Sequence, residues 1–146
     1  MGEPGVGKTT IAKKLQNLLK KKFNVIHLDG DNLRDLYKNY NYSLSNRIQL
    51  AKNYLELMGY IAKQCDMVIL SSIMLYPELN KNPIFKKSKK FLIKRKQNSK
   101  KKIKEKFREI MPNKIEHRNV NIIDNNKTIN KSILEIVSSL KLDLSI

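Results

Sequence analysis

Lys8 and Thr9 are the residues of this chain best placed by type and spacing to do chemistry. They close the run Gly2-Glu3-Pro4-Gly5-Val6-Gly7-Lys8-Thr9-Thr10, which fills the pattern G-x-x-x-x-G-K-[ST] at every fixed position. The glycines let the backbone curl so that successive N–H groups point inward at phosphate oxygens. Lys8 then reaches the β- and γ-phosphates of a nucleoside triphosphate, and the Thr9 hydroxyl is placed to hold Mg²⁺. Gly2, Gly5, Val6, Gly7, Lys8, Thr9 and Thr10 are therefore read as the ATP-binding set. A second acidic cluster, Asp29-Gly30-Asp31, and a polar pair, Ser71-Ser72, each follow an apolar run. Ligands in open α/β sheets bind where such runs end, at the carboxyl ends of strands.

The elements that must position these groups alternate. Ile11, Leu15, Leu18 and Leu19 recur at helical spacing, predicting a helix near Thr9 to Lys22 whose positive end faces the phosphates. Phe23 to Leu28 reads as a short parallel strand, with His27 a packed strand residue within it. Asn32 to Tyr40 predicts a short helix, and Tyr37 to Tyr42 a tyrosine-rich surface loop. Ser43 is an N-cap for a long helix to Gln64, with Ile48, Ala51, Tyr54, Leu55, Met58 and Ile61 as its buried stripe. Met67 to Ser72 is a second buried strand. From Pro77 to Lys114 the pattern weakens: Phe91-Leu92-Ile93 is short for a strand, and Lys100 to Lys104 suggests an exposed helix or mobile segment. Val120 to Asp124 is another strand, Asn125-Asn126-Lys127 a turn, and Thr128 to Leu140 a closing amphipathic helix. Strand–helix alternation after such a loop predicts one α/β domain over residues 1–146, a three-layer sandwich around a parallel sheet. Only Met1 precedes Gly2, so the strand that normally leads into the loop is missing from this sequence.

At 146 residues the chain has the size of one domain, and its 40% hydrophobic content is that of a globular protein. No apolar run approaches the ~20 residues of a membrane helix, and no signal-peptide core is present. A cytoplasmic location is expected. Cys65 is the one cysteine, so no disulfide framework is implied, and it reads as a small buried residue at a helix end. The formal net charge of +17 is concentrated between Lys81 and Arg118, a basic segment read as lid-like or irregular. The chain is rich in Asn, Lys and Ile throughout, so the charge reflects composition as much as binding. A nucleic-acid partner stays a minor reading.

Several signals fall in one order: GEPGVGKTTIA, then Leu28-Asp29-Gly30-Asp31-Asn32-Leu33-Arg34, then Tyr42-Ser43 with Arg47, then a strand ending Ser71-Ser72-Ile73. This order resembles the adenylylsulfate kinase family, over roughly Gly2 to Leu79 with an echo from Val120 to Leu140. Those enzymes move the γ-phosphate of ATP to the 3′-hydroxyl of adenylyl sulfate. The resemblance implies ATP and Mg²⁺ as cofactors and a small nucleotide acceptor as partner, with no membrane and a homodimer as one option. It implies Lys8, Asp31 and Asp29 as catalytic groups, with Thr9 and Asp31 at the metal. Arg34 and Arg47 would clamp the anionic acceptor, with Tyr42 where the family usually stacks a Phe. Departures accompany it. Met74 stands where many members carry a serine assigned as a phosphorylated intermediate, and Leu50 replaces a usual Asn. The family's lid segment is reduced to Lys94-Arg95-Lys96-Gln97, and the strand before it reads as lost. Two accounts of these departures stand: a subgroup acting on another nucleotide-linked acceptor, such as a cytidine-diphosphate derivative, or a truncated, inactive homologue.

Overall fold

Parallel strand pairs frame the protein in a computed structural model that describes residues 1–96 and 119–142. Strand β1 (Val25–Asp29) runs parallel to β2 (Met67–Ser71), with Asp29 opposite Ser71. Strand β3 (Lys90–Lys94) runs parallel to β4 (Val120–Asp124), with Ile93 opposite Ile123. Met1 and Gly2 stand between the two pairs. The Met1 amino group donates to the Phe91 carbonyl at 2.8 Å, and the Ile93 N–H donates to the Met1 carbonyl at 2.9 Å. Those two bonds bracket Leu92 in the manner of a parallel bridge. On the other side the Gly2 N–H donates to the Ile73 carbonyl at 3.3 Å, just past β2. Among the described residues no strand precedes the loop, and Met1–Gly2 sits where one would end. Along β2, Met67 to Leu70 are half-buried and Ser71 is buried. Burial pushes the Met1 amino group down to about 5, with the Lys8 charge adding to the shift.

Strand β3 corrects the sequence reading, which took this strand as lost. Its apolar triplet is flanked by lysines, which made it look solvated. Pairing with β4 decides its state instead, as tertiary context often does for strands. Lys90 is buried there and directs its ammonium out to the Lys86 and Ser88 carbonyls, passing 5.0 Å from the centre of the Phe85 ring.

Helices cover both faces, as the strands' alternation requires. Ile11, Leu15 and Leu19 of α1 (Lys8–Leu19) share one cluster with Ile133 and Ile136 of α5 (Ile129–Leu140), joined by Ile69 and Phe91. The residues next along each strand, Leu70 and Leu92, point the other way. They join a second cluster with Leu33 of α2 (Gly30–Leu36), Leu50, Tyr54 and Leu55 of α3 (Leu44–Ile61) and Phe85 of α4 (Pro83–Lys87). Ser43 caps α3 as expected, accepting from the Asn46 N–H, and Thr128 caps α5 by accepting from Lys131. In α3 the buried stripe is Leu50, Ala51, Tyr54 and Leu55, while Ile48, Met58 and Ile61 are half-buried. Helix α2 begins at Gly30, earlier than the predicted Asn32, because Asp29 caps it, and it ends at Leu36, before Lys38 turns left-handed (φ 49°). Cys65 is half-buried after α3, its thiol directed at the Ile61 and Met67 carbonyls. The expectation for Lys100 to Lys104 lies outside the described residues.

Candidate active site

The loop ahead of α1 has the geometry its composition predicts. Gly2, Gly5 and Gly7 have φ of 153°, 78° and 95°, values that L-side chains seldom adopt. A Cβ at Gly2 would stand 2.6 Å from the Ile93 carbonyl oxygen, and one at Gly7 2.7 Å from Asn125 Nδ2. Gly7 is the N-cap of α1, so no side chain caps the helix and its first turn holds no acidic residue. A helix start without a side-chain cap suits an anion. Lys8 Nζ rests on the Glu3 carbonyl at 2.9 Å. Burial lowers its pKa, while Asp31, Asp29 and Glu3 pull it back up.

Asp29 is the carboxylate nearest the loop's hydroxyl. Thr9 Oγ1 donates to Asp29 Oδ2 at 2.6 Å, and Ser71 Oγ donates to the same oxygen at 2.8 Å. The Asp31 and Asn32 N–H groups supply Oδ1, at 3.1 and 3.4 Å. Burial pushes the Asp29 pKa up, but these four donors outweigh it and hold the carboxyl below its ordinary range. Asp31 is exposed and acts on Lys8 through its charge. Gly30 between them is required by close approach, since a Cβ there would meet Ser72 Oγ at 2.5 Å. His27, the packed residue of the sequence reading, is half-buried with Nε2 2.8 Å from Ser71 Oγ. Burial lowers the His27 pKa, Asp29 opposing this and Lys13 adding to it.

A third anchor escaped the sequence reading. Asn125, treated there as a turn residue, is buried and donates from Nδ2 to the Val6 carbonyl at 2.8 Å. Its Oδ1 accepts from the buried Ser132 hydroxyl at 3.3 Å. The loop is thus fastened from the β4–α5 turn. An Asn directly after a strand was the available signal, but nothing local points to a partner 119 residues away. A cavity of about 430 Å³ opens on this side, bordered by Glu3, Val6, Leu75 and the ends of β3 and β4.

The residues expected at the acceptor assemble around one ring. The Arg34 and Arg47 guanidinium carbons lie 4.6 and 5.0 Å from the Tyr42 ring centre. Arg34 also donates to the Asn39 and Asn41 carbonyls, and Arg47 to the Tyr42 carbonyl. Among the described residues neither arginine has a carboxylate partner, so both charges are available to an anion. Tyr42 is 50% exposed. Met74, which the resemblance sets against a serine of the family, is buried with φ 48°.

A profile of the family described as Adenylylsulphate kinase matches residues 1–122. A protein of Campylobacter jejuni named cytidine diphosphoramidate kinase is 38% identical over 79 residues, 53% of this chain and 46% of that protein. The match therefore spans about half the length of that relative. The APS kinase of Mycobacterium tuberculosis, solved in complex with AMPPNP and APS, superposes with a TM-score of 0.69 at 19% identity, over 97% of this chain and 95% of its own. A cysteine-to-alanine mutant of that enzyme gives 0.63 at 19% identity, over 97% and 94%. At such identity the two structures speak for the fold alone, and they establish the predicted P-loop α/β architecture. No described helix is long and apolar enough to cross a membrane.

Proposed function

Because the chain belongs to the adenylylsulphate kinase family, we propose that it transfers the γ-phosphate of ATP to a hydroxyl of a small nucleotide-linked acceptor. The observation that carries this reading is the convergence on one sheet end of the uncapped loop, the Thr9–Asp29 pair and the two arginines around Tyr42. Phosphoryl transfer needs positioning and charge neutralisation more than covalent work by the protein.

The donor set suits Mg²⁺. One hydroxyl and one carboxylate are hard oxygen ligands, and among the described residues no cluster of His, Cys, Asp and Glu competes for the ion. Mg²⁺ usually takes few protein ligands and completes its shell with water and phosphate oxygens. Thr9 and Asp29 would hold it, and when bound it neutralises phosphate charge. Asp29 takes this role ahead of Asp31, which the sequence reading had at the metal, because Asp29 touches Thr9. Asp31, exposed and close enough to act on Lys8, is the group free to accept the acceptor hydroxyl's proton. The backbone of Gly5 to Thr10 cradles the triphosphate with Lys8, and Arg34 and Arg47 orient the acceptor's anionic part.

Two acceptors are in view. Adenylyl sulfate follows from the family, and a cytidine-diphosphate derivative from the name of the Campylobacter relative. The latter is favoured, because it comes from the closer sequence match. Buried Met74 offers no hydroxyl, so transfer is direct, without a phosphorylated protein. Incubation with γ-labelled ATP and each acceptor tests this. Label on the cytidine derivative and none on the protein is expected. Label on the protein, or on neither acceptor, overturns the reading.

A further inference from the structure

We propose that His27 and Ser71 are positioning residues that fix the Asp29 carboxylate beside Thr9. The inference rests on the kinase reading for its purpose but on hydrogen-bond logic for its content. His27 and Asp29 are two apart on β1, so they share a face, and Ser71 of β2 lies opposite Asp29 on that face. Ser71 Oγ sits 2.8 Å from both His27 Nε2 and Asp29 Oδ2. An ionised carboxylate only accepts, so the single Ser71 hydroxyl proton points to Asp29. His27 must then be the donor to Ser71, which fixes its ring as the Nε2–H tautomer. The chain of donors runs His27 to Ser71 to Asp29, and Thr9 meets the same Oδ2 from the other side at 2.6 Å. Without Ser71 that oxygen keeps only the Thr9 hydroxyl, the group that also has to serve the nucleotide. Outer partners of this kind orient the group that meets a ligand or metal and are commonly worth about 10–100-fold in its affinity.

Two measurements test the assignment. In the ligand-free protein, long-range ¹H–¹⁵N correlation should show His27 as the Nε2–H tautomer, with the signal changed by Ser71→Ala and kept by Ser71→Thr. An Nδ1–H tautomer, or a signal indifferent to Ser71→Ala, overturns the proposal. Calorimetry of AMPPNP binding with Mg²⁺ gives the second. Ser71→Ala and His27→Leu should each weaken binding about 10-fold. The double variant should be no weaker than Ser71→Ala alone, because the two act in series. His27→Gln, which keeps a donor near the Nε2 position, should stay within about twofold of the unaltered protein. Additive losses, or a glutamine variant as weak as the leucine one, would also overturn it. An unaltered protein that fails to bind AMPPNP sinks the kinase reading instead, and the tautomer measurement still decides the relay.

Discussion

The proposed phosphate side and the proposed acceptor side of this site are built by opposite means. On the proposed phosphate side Asp29 is fastened by Thr9 and Ser71, Val6 by Asn125 and Met1 by β3, through buried or part-buried bonds between separate elements. On the proposed acceptor side Arg34 lies in the last turn of α2, Tyr42 on the loop that follows and Arg47 in the first turn of α3. They are held by backbone carbonyls and by stacking of cations on one ring. The difference fits the ligands. Under the proposed function the phosphate donor is a triphosphate, which a rigid cradle suits. The acceptor is what distinguishes one member from another, and loops carried on a rigid scaffold change most readily.

Substitutions can break or sharpen that contrast. The largest effect belongs to Lys8→Ala, expected to lower acceptor-dependent turnover by about 10²–10³. Thermal unfolding should show no loss of stability, since the ammonium is desolvated in the folded protein. A large fall in Tm would mean that Lys8 serves structure. Next come Arg34→Ala and Arg47→Ala. Each removes a charge-assisted contact worth about 1.5–3 kcal/mol, so the acceptor KM should rise roughly 10–100-fold. The ATP KM should not move, and an equal rise in both constants would erase the division into two sides. Asn125→Leu leaves the Val6 carbonyl buried and unsatisfied, a cost of about 1–3 kcal/mol readable by denaturant unfolding. Here the ATP KM should move more than the acceptor KM.

The smallest effect lies in the pH dependence of stability. The Asp29 pKa is depressed in the fold, so its contribution to stability is complete above its ordinary value of 3.8 and is lost as pH falls below it. Asp29→Asn should therefore lower stability at neutral pH and flatten the acid limb of the stability curve, the variant and the unaltered protein converging as pH falls. An unchanged acid limb would assign that loss to other carboxylates.

Much of this was legible in the sequence, for definable reasons. The loop, α1, β1, α3, β2, β4 and α5 all carry periodicity or caps that act locally, and Ser43 and Thr128 do cap their helices. The family resemblance points to Arg34, Tyr42 and Arg47, and the structure brings them together. What escaped depends on distant partners. β3 exists because β4 pairs with it, not because its lysine-flanked triplet is persuasive. Asn125 and Ser71 matter through contacts across the sheet, which no spacing rule encodes. The choice between Asp29 and Asp31 turned on which carboxylate meets Thr9, and that follows from Asp29 closing β1 beside α1.

Acceptor-dependent release of ADP tests the central claim most directly. With ATP and Mg²⁺ fixed, the account predicts slow release alone and a saturable increase when cytidine diphosphoramidate is added, abolished by Lys8→Ala. Release that is absent, or that proceeds at the same rate with no acceptor and with either candidate, would contradict it.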